Sequence, residues 1–220
     1  MKDLRTVLLM EAESGERTCH LAKAAGVTLD AEVVNDLSAL NCAFDNFPEL
    51  LLSFGTSVIV PAPLLDRPGL LALNVHAASP DYPGRDPHHF AVFDGAARYG
   101  ATMHFMNPKV DAGAIVDVQL FDVPAEVTPS RLLDLANQSA WVLVERFFRK
   151  LAEGRVLCPL EGVCWGKRKT TRKMFLDLCR VDGEMSEKEF SHRLRATSMP
   201  GYTNLYTEVH GHRFRMENKT

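Results

Sequence analysis

The sequence predicts an α/β fold: an open, mostly parallel sheet with helices on both faces, followed by a small C-terminal α+β appendage. Three observations carry this. Short continuous apolar runs recur through the first half, as strands buried on both faces require. Helical patterns alternate with these runs, and that alternation favours crossover units around a parallel sheet. After Gly154 the composition changes, with a basic run and turn signals replacing the apolar pattern. No Gly-x-Gly-x-x-Gly follows the first run, so the phosphate loop of a dinucleotide fold is unsupported.

Arg5 to Met10 (RTVLLM) is the first expected strand. Ser14 is the expected cap of a helix through Leu21, Ala22 and Ala25 to Gly26, which sits where a C-terminal glycine belongs. Ala31 to Val34 and Leu50 to Phe54 give a second and a third strand. The run Leu70 to Leu73 opens a fourth, which delivers Asn74 and His76 to one face of an extended chain. A loop follows, because Pro80, Pro83, Gly84 and Pro87 suit neither helix nor central strand. Gly100 to Met106 alternates as a fifth strand, and the turn Val110 to Gly113 carries Asp111 into the run Ala114 to Val116.

Thr128-Pro129 is an N-cap followed by proline at the first helical position. It opens a helix with a broad apolar face, from Leu132 to Leu151, that ends at Gly154. Beyond it come Trp165, the basic run Lys167-Arg168-Lys169 and a capping box at Ser186 to Glu189, which starts a helix through Phe190 and Leu194. Tyr202 to Phe214 reads as a hairpin turning at His210-Gly211. Two units result, 1–154 and 155–220, without internal repeats.

A length of 220 residues with 46% hydrophobic and 24% charged content is that of an ordinary globular protein. A net charge of -3 argues against a general nucleic-acid binder. No apolar run reaches the ~20 residues that span a bilayer. The acids after the first short run are unlike a signal peptide, so the expected location is cytoplasmic and no membrane partner is expected. Five cysteines without a Cys-x-x-Cys pair read as reduced, mostly buried thiols.

Asn74, His76 and Asp111 on strand ends and loops form a candidate catalytic set. Taken singly, each has a structural reading: a turn former, a hydrogen-bonded core histidine, a turn carboxylate. His104 lies inside a strand pattern and reads as structural. Lys167 to Lys173 is a solvated surface run or a phosphate-binding patch. Trp165 is a core residue or a stacking platform. His210 and His212 are separated by a turn and do not read as a metal pair.

In order and spacing, Asn74-x-His76, a loop with Gly84, Gly100-x-Thr102-x-His104 and Asp111-x-Gly113-x-Ile115 resemble the folate-dependent formyltransferases. That family includes the glycinamide ribonucleotide, methionyl-tRNA and sugar N-formyltransferases. The resemblance covers roughly residues 49–125, with Val58-Ile59-Val60-Pro61 similar to the segment before the Asn-x-His strand. It implies a Rossmann-like catalytic domain, 10-formyltetrahydrofolate as co-substrate, and no metal. By the same resemblance Asn74 orients and polarises the formyl oxygen. His76 stabilises the oxyanion, and Asp111 holds His76 and takes the amine proton. Val58, Val60, Val110 and Gly113 are the expected folate contacts. Tyr82, Arg85, His88, Trp165 and Lys167 are the expected acceptor contacts.

The chain departs from the family in three places. Ala78 stands where a serine is usual, the Ser79–Gly84 loop is one residue short, and Asn74 comes early, which implies a trimmed N-terminal sheet. Arg85-Asp86-Pro87-His88-His89, and Arg195-Ala196 followed by Pro200-Gly201-Tyr202 and a hairpin, resemble the sugar-modifying branch. The implied activity is formyl transfer to a nucleotide-linked amino sugar, in the synthesis of surface polysaccharide such as O-antigen. The alternatives are a 10-formyltetrahydrofolate hydrolase, an enzyme using methionyl-tRNA or glycinamide ribonucleotide, and a non-catalytic relative. Family members often pair, so a homodimer is compatible, with no interface identified.

Overall fold

The computed structural model describes residues 3–216. In chain order the elements are β1 (Leu4–Leu9), α1 (Ala12–Ala24), β2 (Leu29–Val34), α2 (Leu37–Ala43), β3 (Leu50–Phe54), α3 (Ala62–Leu65) and β4 (Leu71–His76). There follow α4 (Pro87–Asp94), β5 (Arg98–Phe105), β6 (Ile115–Asp122) and α5 (Pro129–Ala152). The remainder is α6 (Arg172–Cys179), α7 (Glu187–Thr197), β7 (Ser198–Met199), β8 (Tyr202–Thr203), β9 (Tyr206–Val209) and β10 (His212–Arg215).

Six strands make one sheet in the order β2-β1-β3-β4-β5-β6. The first four run parallel, and β5 and β6 join antiparallel. The apolar runs are continuous because both faces are covered. Leu8, Leu50, Leu52, Leu73 and Val75 pack with α1 and α5, through Ala22, Leu143, Val144, Phe147 and Phe148. Val7, Leu9 and Leu51 face the other way, onto Leu40, Ala43 and Phe44 of α2 and its following turn. Phe147 and Phe148 are fully buried, and truncating either to alanine would cost about 3–5 kcal/mol. The final strands form two small two-stranded sheets, β7-β8 and β9-β10, beside α6 and α7.

Several boundaries are as expected. Thr128 caps α5 by accepting from the Arg131 N–H, Ser186 caps α7 by accepting from the Glu189 N–H, and β3 spans Leu50–Phe54. Four expectations are corrected. The N-cap of α1 is Glu11 and not Ser14, because the chain turns from β1 straight into the helix. Burying Gly15, Thr18 and Ala22 outweighs the roughly 1 kcal/mol of a side-chain cap. Pro87 is not in the loop but opens α4, where its missing N–H costs nothing. The hairpin at His210-Gly211 begins at Tyr206, since Tyr202-Thr203 pairs with Ser198-Met199 instead. Among the five free cysteines only Cys179 is buried; Cys19 is half-buried, and Cys42, Cys158 and Cys164 are exposed.

Candidate active site

The candidate centre is built where β4 and β5 pair. Their antiparallel register sets Asn74 opposite His104 and His76 opposite Thr102. A bulge between Met103 and His104, where β5 meets β6, re-aims the strand at that point. The Asn74 amide nitrogen lies 3.1 Å from His104 Nε2, and His104 Nδ1 donates to the Phe105 carbonyl at 2.8 Å. A carbonyl can only accept, so in neutral His104 the proton sits on Nδ1 and Nε2 accepts from the Asn74 amide. The orientation of the Asn74 amide is thereby fixed.

His76 Nε2 donates in the same way to the Tyr82 carbonyl at 2.9 Å, and its Nδ1 faces Asp111 Oδ2 at 3.7 Å. The other oxygen of Asp111 lies 3.6 Å from His104 Nε2. Asp111 is 6% exposed, in a left-handed conformation (φ 44°), and Oδ2 accepts from the Gly84 N–H at 2.8 Å. Burial holds His76 below the ordinary histidine value, against the upward pull of Asp111 and the Tyr82 carbonyl. Burial pushes the Asp111 carboxyl up, but His104, His76 and the Gly84 N–H outweigh it and leave the group below its usual value. At neutral pH Asp111 is a carboxylate and His76 a neutral imidazole able to accept a proton.

This cluster lines a cleft of about 630 Å³. Val58, Ile59, Val60, Leu65, Met106 and Val110 supply an apolar wall, and Arg85, Lys109 and Lys169 supply cationic side chains. Of the residues singled out from sequence, Asn74, His76, Asp111, Val58, Val60, Val110 and Arg85 are on the cleft wall. The others are placed elsewhere. Gly113 lies under β5, where a Cβ would run into the Phe105 carbonyl. The Tyr82 ring packs on Tyr99, and burial with the nearby Asp94 carboxylate pushes its phenol up to about 12, so only its carbonyl serves the site.

His88, in the first turn of α4, lies tilted against His89 and off the wall. Trp165 is behind the imidazoles, edge-on to His104 and His76 at centroid distances of 5.0 and 5.9 Å. Lys167 is exposed and off the wall; the basic residue of that run on the cleft is Lys169. Sequence reasoning missed His104 as a partner of Asn74. The Gly-x-Thr-x-His pattern was its signal, but only the strand register reveals the pairing. Among the described residues no group of three or more His, Cys, Asp or Glu side chains could hold a metal, and no helix is long and apolar enough to cross a membrane.

The sequence pattern of the formyl transferase family matches residues 13–146, more than half of the chain, and the chain belongs to that family. Enzymes of this family use formyl-tetrahydrofolate. The methionyl-tRNA formyltransferase of Lysinibacillus sphaericus (strain C3-41) is 34% identical over 88 residues, 40% of this chain and 28% of that protein. The match thus spans about a quarter of that relative's length. Two solved structures are similar over nearly their whole length. The 4-N formyltransferase from Francisella tularensis has a TM-score of 0.77 at 16% identity, covering 99% of this chain and 97% of that one. The sugar N-formyltransferase from Shewanella sp FDAARGOS_354 has a TM-score of 0.77 at 17% identity, covering 98% and 97%. At these identities the likeness establishes the fold.

Proposed function

We propose that this chain transfers a formyl group from 10-formyltetrahydrofolate to the amine of a nucleotide-linked amino sugar, in the cytoplasm, for surface-polysaccharide precursors. The observation that carries the chemistry is the Asn74–His76–His104–Asp111 cluster, held at 3.1–3.7 Å separations beside an apolar cleft wall. The wall of Val58, Val60 and Val110 suits a flat aromatic donor, and the donor supplies an activated formyl carbon. The acceptor nitrogen bonds to that carbon while negative charge grows on the formyl oxygen. Asn74 presents an amide N–H to this oxygen from a position preorganised by His104. His76, backed by the Asp111 carboxylate, takes the amine proton. As the bond from formyl carbon to folate nitrogen breaks, the proton leaves on that nitrogen, and tetrahydrofolate and an N-formyl product result.

The sugar acceptor is supported by the end-to-end likeness to a sugar N-formyltransferase, which includes the segment after α5. Lys169 and Arg85 offer cations for a diphosphate at the cleft. The test is release of tetrahydrofolate with the full chain and a panel of acceptors. Turnover that requires a nucleotide-linked amino sugar bears the proposal out. Turnover with no acceptor identifies a hydrolase, and turnover only with methionyl-tRNA or glycinamide ribonucleotide overturns the sugar assignment.

A further inference from the structure

The active-site residues come from β4, β5 and the 111–113 turn, yet the segment that joins them lies beyond the family-matched residues 13–146. Residues 165–170 cross behind the cluster and bind it at both ends. The Trp165 indole N–H donates to the Gly113 carbonyl at 2.8 Å, fixing the turn that carries Asp111. Gly166 N–H donates to the Pro80 carbonyl at 2.8 Å, holding the start of the loop that follows His76.

Thr170 holds the other end of that loop, and it is only 2% exposed. Its N–H donates to the Pro83 carbonyl at 2.9 Å, and its carbonyl accepts from the Arg85 N–H at 3.0 Å. Its hydroxyl donates to the Arg85 carbonyl at 2.7 Å, with the Pro83 carbonyl at 3.2 Å. Gly84 is thus bracketed on both sides, at φ 102°, and a Cβ there would run into the Thr170 backbone. Pro83 and Arg85 bond toward Thr170, while the Gly84 N–H points the other way, onto Asp111 Oδ2 at 2.8 Å.

We infer that residues 165–170 are a positioning strap, in which Thr170 presses the Gly84 N–H onto Asp111 and Trp165 tethers the Asp111 turn beneath the two imidazoles. Neither residue touches the reacting atoms; both act through Asp111. Thr170 supplies geometry more than stability. Removing its hydroxyl leaves the backbone pairing intact but frees the Gly84 peptide to tilt, and the carboxylate then loses a donor that favours its charged form. This role rests on the formyl-transfer reading for its catalytic consequence, but not for its physical one.

The test uses the full chain with Thr170→Val, Thr170→Ser and Trp165→Phe, and titrates Asp111 by carboxyl carbon NMR, with Asp111→Asn to assign the resonance. A hydrogen bond to a charged group carries about 1.5 kcal/mol or more, so Thr170→Val raises the Asp111 midpoint by about one pH unit. Thr170→Ser restores it. Trp165→Phe, which keeps an aromatic ring but loses the N–H, moves the His76 ring titration and reads the same strap should Thr170→Val not fold. Where an acceptor supports turnover, kcat in Thr170→Val falls about tenfold, its acid limb moves up with the Asp111 midpoint, and KM for the donor stays within about twofold. An unchanged Asp111 midpoint in folded Thr170→Val overturns the strap. So does an unchanged His76 titration in Trp165→Phe. A wild-type protein inert with every acceptor would refute the proposed function, and the titrations would still decide the strap.

Discussion

The cleft has two walls of different construction. One is borne on strands and the buried turn beside them: Asn74 and His104 face each other across a hydrogen-bonded register, and His104 and the turn residue Asp111 are 3% and 6% exposed. The other is borne on loops, where Arg85, Lys109 and Lys169 reach in from solvent and Lys169 donates to the Val110 carbonyl. Groups that meet developing charge need fixed geometry, which paired strands provide. Groups that choose among acceptors tolerate motion and gain from exposure to a charged ligand. We therefore expect changes on the strand wall to lower kcat, and changes on the loop wall to raise the acceptor KM.

Asn74→Ala should have the largest effect on this contrast, lowering kcat by about 10²–10³-fold with KM for the donor nearly unchanged. Steady-state kinetics with either substrate varied would show it; a change confined to KM would collapse the distinction between the walls.

Acid should destabilise the fold through two histidines at the start of α4. There, burial and the neighbouring His89 lower His88 to about 3, and burial also lowers His89. Histidines depressed in the folded state bind protons more readily in the unfolded chain. The stability they support is complete above about pH 6.5 and is lost as pH falls toward 3. His88 alone accounts for on the order of 3 kcal/mol by about pH 4. Urea unfolding across this range should show the decline, reduced in His88→Phe, and a flat profile would contradict the burial of these rings.

His104→Phe keeps ring volume but removes the acceptor for the Asn74 amide. A fall of about tenfold in kcat, with the donor KM unmoved, is the expected result. Lys169→Ala and Arg85→Ala should act least, each raising the acceptor KM by about three- to tenfold with kcat nearly constant. The wild-type acceptor KM should rise with salt. A lowered kcat in these variants would move the loop wall into the chemistry.

The features legible in sequence are those with local physical causes. Leu50–Phe54 shows as a strand because both of its faces are buried, and α5 announces its start through Thr128 and Pro129. Asn74, His76 and Asp111 were visible as motif residues at strand ends. What could not be read depends on tertiary register. His104 sits opposite Asn74 only because β5 runs antiparallel to β4 after a long excursion through α4. Trp165 and Thr170 meet Gly113 and Gly84 across 52 and 86 positions of sequence, through carbonyls and amides that every residue possesses. Lys169, and not Lys167, reaches the cleft because Thr170 fixes the run's end, which charge content alone does not specify.

In the proposed reaction His76, backed by the Asp111 carboxylate, receives the proton that formyl transfer releases. Single-turnover release of tetrahydrofolate, saturating in 10-formyltetrahydrofolate and in an acceptor that supports turnover, tests it with Asp111→Asn beside the wild type. Asparagine can still accept from the Gly84 N–H, so the variant should fold. The expected single-turnover rate is lower by about 10²-fold, with both substrates still bound. A rate within a few-fold of wild type would contradict this role of Asp111.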